Sequence, residues 1–168
     1  MAQRSQAVRP LEAFLHCLLQ MINIPPMPLT LPESHQKKSS CTTILLIDDD
    51  QRDLIYWSDA VRKLGKNYTV LTALDRKSAL AICKDRTVDC VLLDLDMPES
   101  GFDLLLELVP DPKHPKIAVL ILTRLVYPTL CEIAKLHGAQ GWCVKRDTSA
   151  EQLDNAIQEA VVSINSRQ

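Results

Sequence analysis

The stretch Asp89–Gly101, DCVLLDLDMPESG, decides the fold class of this chain. Its apolar segment Cys90–Leu93 has the composition of a strand that is buried on both faces, and such strands are typical of parallel sheets covered by helices. Two aspartates, Asp94 and Asp96, follow where this strand should end, and a Met-Pro pair then turns the chain away. A carboxylate in that position stands at a loop mouth, so it is a candidate for chemistry.

Strands of the same kind alternate with helical patterns along the rest of the chain. The predicted strands are Ile44–Ile47, Tyr68–Ala73, Val88–Leu93, Ile117–Leu122 and Gly141–Val144. The predicted helices are Arg52–Leu64, Arg76–Lys84, Gly101–Val109, Pro128–His137 and a last one that follows a capping box of Ser149 and Gln152. This alternation predicts an α/β fold. We expect a doubly wound, five-stranded parallel sheet of the flavodoxin-like order 2-1-3-4-5, with helices on both faces.

The first forty residues differ from this pattern. They combine a short apolar stripe, Leu11–Ile22, with the proline-rich stretch PPMPLTLPESHQKKSS at residues 25–40. We therefore expect residues 1–40 to be an N-terminal extension, made of a short helix and a linker, and residues 41–168 to be the globular domain. The stripe is shorter than the about 20 apolar residues that span a bilayer, so no membrane span is expected.

The charge and the cysteine content of the chain indicate which partners and which cellular compartment to expect. The chain has 19 basic and 21 acidic residues and a formal net charge of -2, which lacks the basic excess of a nucleic-acid-binding protein. Its six cysteines show no paired or metal-like spacing. Since disulfides are rare in the cytoplasm, we expect reduced, structural thiols and a cytoplasmic protein.

Polar side chains follow four of the five predicted strands. In chain order they are Asp48, Asp49 and Asp50 after the first, Asp94 after the third, Thr123 after the fourth and Lys145 after the fifth. Carboxylates that are packed together repel one another, and a hard cation such as Mg²⁺ relieves that repulsion. Asp94 can then attack a phosphoryl group and form an acyl phosphate, whose oxygens the metal, Thr123 and Lys145 can hold. Asp50 is interpreted more simply as a helix N-terminal acid.

Four motifs in this order, ILLIDDD, LLDLDMP, LILT and WCVK, resemble the receiver domain of two-component response regulators, in extent like the single-domain chemotaxis receivers. The resemblance runs from about Thr43 to the C-terminus. It implies these roles: Asp94 as phosphoacceptor with Thr123 and Lys145; Asp48, Asp49, Asp94 and the backbone carbonyl of Asp96 as Mg²⁺ ligands; and Trp142 as the aromatic switch residue.

The resemblance also implies a function and partners. A phosphohistidine on a sensor histidine kinase or phosphotransfer protein would donate its phosphoryl group to Asp94. The added negative charge would then alter the surface of the fourth helix, fifth strand and fifth helix. A downstream target protein would recognise that altered surface. The chain stops at Gln168, soon after the last predicted helix, so we expect output through protein contacts. A signalling protein is expected rather than an enzyme, apart from self-phosphorylation by small donors and slow autodephosphorylation.

The sequence departs from the family pattern, and the departures around Lys145 and Arg124 motivate an alternative function. Arg124 stands where a small residue is common, Trp142 is larger than the usual tyrosine or phenylalanine, and Arg146 replaces a proline. Arg124 is interpreted as a surface residue that could also contact the phosphoryl group or narrow access to Asp94. The alternative is a receiver fold that acts as a docking module without phosphorylation.

A third interpretation is an enzyme, because the string DLDMP also resembles haloacid-dehalogenase-type phosphatases. In that family the nucleophile follows the first strand and the acidic metal pair comes late. Here the acidic cluster at Asp48 and Asp49 comes first, and this order argues against a phosphatase.

Overall fold

The computed structural model describes residues 41–98, 101–124 and 127–166. Its strands are β1 (Thr42–Ile47), β2 (Tyr68–Ala73), β3 (Cys90–Leu93), β4 (Ala118–Thr123) and β5 (Gly141–Val144). Its helices are α1 (Gln51–Lys63), α2 (Arg76–Asp85), α3 (Gly101–Leu108), α4 (Pro128–Leu136) and α5 (Ala150–Asn165). The helix and linker that we predicted for residues 1–40 lie outside the described residues.

All five strands form one parallel sheet in the order β2-β1-β3-β4-β5, so the predicted fold is confirmed. The largest boundary errors are two residues, at β1, which begins at Thr42 rather than at Ile44, and at β3, which begins at Cys90 rather than at Val88. Val88 is buried, but the strand pairing with β1 begins only at Ile44 and Cys90. Just before it, the carboxylate of Asp89 accepts the Thr43 backbone N–H at 2.7 Å.

The near-continuous apolar character of the central strands follows from burial of both sheet faces. Successive side chains of a strand point to opposite faces. Leu45, Ile47 and their counterparts on β3 and β4 pack in one core with α2, α3 and α4. Ile44, Leu46 and the alternate residues of β3 and β4 pack in a second core with α1 and α5.

Local signals fix the ends of several helices. Asp50 is the N-cap of α1 and accepts the Arg52 backbone N–H, and Ser149 and Gln152 form the predicted capping box of α5. Gly138, which follows α4, has a φ of 95°, a conformation that glycine adopts without strain. Across the three described ranges, no helix has the length and apolar character needed to cross a bilayer.

The strand register brings the polar residues after β1 and β3 side by side. Ile47 pairs with Leu93, and each is the last residue of its strand. Asp48 and Asp94 therefore leave the sheet next to each other at its carboxyl edge. Thr123 is the last residue of β4 rather than the first residue beyond it, and it ends at the same edge.

Candidate functional site

The ammonium group of Lys145 lies among three carboxylates at the carboxyl edge of the sheet. Its Nζ donates to Asp48 Oδ2 at 2.5 Å, to Asp94 Oδ2 at 2.6 Å and to Asp53 Oδ2 at 2.7 Å. An ammonium group carries three hydrogens, so these bonds use its whole donor capacity. The side chains of Lys145, Asp48 and Asp94 are all buried, which strengthens the attraction between their charges.

The second oxygen of each buried carboxylate accepts a backbone N–H. Asp94 Oδ1 accepts the N–H of Asp96 at 2.9 Å, and Asp48 Oδ1 accepts the N–H of Asp50 at 3.0 Å. Both bonds span two residues, so the turns that follow β1 and β3 are closed in the same way. Each carboxylate is therefore fixed from two sides, by its own turn and by Lys145.

Burial and ion pairing act against each other on the charges of this cluster. Burial raises the pKa of Asp48 above its ordinary value, and the hydrogen bond from Lys145 offsets this only in part. Burial alone would lower the pKa of Lys145, but its bonds to the three carboxylates outweigh that effect and hold the pKa above its ordinary value. Lys145 is therefore charged at neutral pH, in a pocket whose carboxylates outnumber it.

The other predicted residues lie at different distances from this centre. Thr123 is buried at the end of β4, and its carbonyl oxygen accepts the Lys145 backbone N–H at 2.9 Å. Asp96 has an exposed side chain and contacts Asp94 through its backbone N–H. Asp49 is exposed at the rim, where it lines a cavity of about 200 Å³ together with Met97 and Pro98.

Trp142 lies outside the acidic pocket. Its side chain faces outward from β5 and is 36% exposed. The Nζ of Lys135, on α4, stands over its ring at 4.1 Å from the centroid. The same ring lines a groove of about 660 Å³ that α4, β5 and α5 form together.

The sequence analysis missed Asp53, and it did not foresee the carboxylate partners of Arg124. Asp53 on the first turn of α1 binds Lys145 directly, and Arg124 binds Asp50 and Asp53 at 2.8 Å each. The sequence offered one signal for Asp53, because it lies in the first turn of the helix that directly follows the acidic end of β1. Arg124 is more than half exposed, as expected for a surface residue, but it is also tied to α1 by two ion pairs.

The glycine that begins α3 permits a close backbone contact beneath the site. A Cβ on Gly101 would overlap the carbonyl oxygen of Asp94 and would lie 2.7 Å from the Cα of Leu95. Only a residue without a side chain lets the first turn of α3 approach Asp94 this closely. Gly101 therefore helps to fix the turn on which the candidate phosphoacceptor stands.

The donor chemistry of the pocket fits a hard divalent cation. Asp48 and Asp94 present buried carboxylate oxygens, and Asp49 follows directly at the rim; oxygen donors of this kind are those that Mg²⁺ prefers. Within the described residues, no group of three or more acidic, histidine or cysteine side chains is arranged to hold a metal ion. Lys145 instead shares the buried oxygens, and it supplies part of the charge balance that a metal would provide.

The chain matches a known protein family and two curated proteins. Residues 44–158 match the family described as the response regulator receiver domain. A 91-residue segment is 34% identical to a probable cyclic di-GMP phosphodiesterase of Vibrio cholerae, covering 54% of this chain and 20% of that protein. A 115-residue segment is 31% identical to a gliding motility regulatory protein of Myxococcus xanthus, covering 68% of this chain and 14% of that protein.

The fold is also similar to that of solved receiver structures. The chemotaxis protein CheY4 of Vibrio cholerae is 27% identical, with a TM-score of 0.64 over 72% of this chain and 99% of that one. The chain thus spans a fifth or less of the curated relatives that it matches, whereas it covers nearly the whole of CheY4.

Proposed function

Because the chain belongs to the response regulator receiver domain family, we propose that it is a phosphorylation-dependent switch in a two-component phosphorelay. Its phosphoryl group would come from a phosphohistidine on a sensor histidine kinase or phosphotransfer protein. The observation that carries the proposal is the state of Asp94, a buried carboxylate in contact with both a buried ammonium and a backbone N–H. On this proposal the protein signals in the cytoplasm and is not a conventional enzyme.

The chemical step is a transfer between two proteins. An oxygen of the Asp94 carboxylate forms the new O–P bond while the P–N bond to the donor histidine breaks, and the imidazole leaves with that electron pair. Lys145 already contacts Asp94 Oδ2, so its charge is in place to stabilise the phosphoryl oxygens. Thr123, at the end of the neighbouring strand, would supply a hydroxyl donor to the same group.

The pocket would hold Mg²⁺ through Asp48, Asp49, Asp94 and the backbone carbonyl of Asp96. When bound, the metal would neutralise charge on the phosphoryl oxygens and on the carboxylates. The three carboxylates around Lys145 support this assignment, because one ammonium cannot balance them all.

The output would pass from the pocket to the face formed by α4, β5 and α5. Thr123 ends β4, and β4 pairs with β5 so that Ile121 lies beside Trp142. A shift of Thr123 toward the phosphoryl group would therefore move β4, the strand that pairs with β5 beside Trp142. A downstream target protein would recognise the altered face. A local change of charge that favours one of two conformations is a general basis for a molecular switch.

Intact-mass measurement tests the phosphoacceptor role. The protein is incubated with acetyl phosphate and Mg²⁺, and the wild type is compared with Asp94→Asn. We expect one labile phosphate adduct on the wild type and none on the variant. If the wild type gains no adduct from acetyl phosphate or from a phosphorylated kinase, the docking module without phosphorylation becomes the better description.

A further inference from the structure

One oxygen of Asp53 joins two cations at the mouth of the pocket. Asp53 Oδ2 accepts from Lys145 Nζ at 2.7 Å and is 2.8 Å from a terminal guanidinium nitrogen of Arg124. The same Arg124 nitrogen also contacts Asp50 Oδ2 at 2.8 Å. The charges thus alternate from Asp94 through Lys145, Asp53 and Arg124 to Asp50, and they connect the ends of β3, β4 and β5 with the start of α1.

Asp53 differs from the other two carboxylates that bind Lys145. Asp48 and Asp94 are the groups that the proposed function assigns to the metal and to the phosphoryl group. Asp53 has neither role, so it stays an anion beside Lys145 after those two are engaged. Since the three bonds of the resting state use every hydrogen of the ammonium, a phosphoryl oxygen must take a hydrogen that a carboxylate now holds.

We propose that Asp53 competes with the phosphoryl group of Asp94 for Lys145 and thereby restrains phosphorylation of this protein. The inference rests on the proposed function, because it assumes that Asp94 is the phosphoacceptor. Asp53 is a positioning residue: it acts on the phosphoryl group through Lys145 and through the repulsion between two anions. Arg124, which Asp50 also holds, keeps the Asp53 carboxylate in this arrangement.

The chain offers a matched control for Asp53. Asp50 lies three residues earlier, carries the same charge and binds the same nitrogen of Arg124, but the structure shows no hydrogen bond from Lys145 to it among the described residues. Asp50→Asn and Asp53→Asn therefore remove equal charge and leave Arg124 with one partner each. Asparagine also serves as an N-cap, so the start of α1 is preserved in the Asp50 variant.

Titration with beryllofluoride, a mimic of the acyl phosphate, tests the proposal. The affinities of the wild type, Asp50→Asn and Asp53→Asn are measured at saturating Mg²⁺, with backbone NMR shifts as the readout. We expect Asp53→Asn to bind roughly threefold to tenfold more tightly than the wild type, as removal of one nearby like charge predicts, and Asp50→Asn to stay within about twofold. Asp53→Ala, which cannot accept a hydrogen bond from Lys145, should bind at least as tightly as Asp53→Asn.

The possible results separate the two proposals. If the wild type binds beryllofluoride and Asp53→Asn binds no more tightly than Asp50→Asn, the restraint by Asp53 is refuted while the proposed function stands. If only the Asp53 variants bind, the restraint is supported in its strongest form. If no variant and no wild type binds, both proposals fall.

Discussion

At the scale of single residues, Lys145 supplies part of the positive charge that the acidic pocket requires. Its ammonium compensates two buried carboxylates, Asp48 and Asp94, and a third at the rim, Asp53. Buried carboxylates without a partner cost several kcal/mol. The resting pocket is therefore stable only because a residue from the far end of the chain reaches it.

Substitution of this lysine should destabilise the fold in a way that Mg²⁺ reverses. Lys145→Met keeps the length of the side chain but leaves Asp48 and Asp94 without their cation, so we expect a loss of about 3 kcal/mol in the free energy of unfolding. Because a divalent cation can replace the lost charge, millimolar Mg²⁺ should restore more stability to the variant than to the wild type. Urea unfolding with and without Mg²⁺ measures both effects.

Lys135→Met is the control for that experiment. Its side chain is 40% exposed and its carboxylate partner, Glu132, is 3.6 Å away, a surface pair that contributes little. With its cation–π contact to Trp142, the total loss should stay near about 1 kcal/mol, well below the loss at Lys145. Equal losses for the two variants, or a loss at Lys145 that Mg²⁺ leaves unchanged, would contradict the compensating role of Lys145.

At the scale of elements, α4 and β5 form one unit around Trp142. Pro128 is the first residue of α4, and Gly138 follows its C-cap. The helix places Lys135 over the Trp142 ring. A cation above an aromatic face is attracted to it by the ring quadrupole. Lys135 therefore holds the proposed switch residue in its outward position, a restraint that neither element provides alone.

Removal of that cation should free the tryptophan. In a Trp57→Phe background, which leaves Trp142 as the single tryptophan of the chain, we expect Lys135→Met to shift the inward–outward balance of Trp142 by a factor of about two to five, since an exposed cation–π contact is worth about 0.5–1 kcal/mol. Acrylamide quenching of the fluorescence, with and without beryllofluoride and Mg²⁺, measures the shift. Lys135→Arg keeps the cation and should behave as the parent does; a response identical for Met and Arg would rule out this restraint.

At the scale of the whole molecule, Asp154 ties the last helix to the edge strand of the sheet. It is buried on α5 and accepts hydrogen bonds from Tyr68 Oη at 2.6 Å, on β2, and from Lys66 in the preceding turn. Burial would raise the pKa of Asp154, but the bonds from Lys66 and Tyr68 outweigh it and leave the pKa below its ordinary value. The contact spans 86 residues of sequence and joins the last helix to β2.

The depressed pKa gives this tie a defined pH dependence. The carboxylate contributes stability above the ordinary carboxyl pKa of 3.8, and that contribution is lost as the pH falls through the lower folded-state pKa. We expect Asp154→Asn to lower the free energy of unfolding by about 1–3 kcal/mol at pH 7, and the gap to the wild type to narrow below about pH 4. Urea unfolding across this pH range provides the measurement.

Asp59→Asn, on the exposed side of α1, is the comparison for Asp154. Its side chain is 54% exposed and its pair with Arg62 is 3.5 Å long, so we expect a change below about 0.5 kcal/mol. A gap for Asp154→Asn that stays constant from pH 7 to pH 3 would show that the hydrogen bonds stabilise the fold independently of the charge.

The sequence by itself determined the order of the elements and the sheet edge at which the polar candidate residues stand. Apolar runs with polar residues at their ends, helix caps at Asp50 and Ser149, and a glycine after α4 are local signals, since each depends on neighbours within a few residues. The alternation of strands and helices predicted a parallel sheet, whereas the strand order was taken from the flavodoxin-like fold. Given that order, Asp48, Asp94, Thr123 and Lys145 were expected near one edge.

Only the tertiary structure decided which of these charges touch. Lys145 contacts Asp48 and Asp53 across 97 and 92 residues, and whether it bonds two carboxylates or three depends on strand register and on the rotation of α1 about its axis. The contacts of Arg124 with α1 and the close approach of Gly101 to Asp94 depend on the same packing. A pattern along the chain records what each residue can do, but side-chain contacts of a few ångströms are set by how separate elements pack against each other.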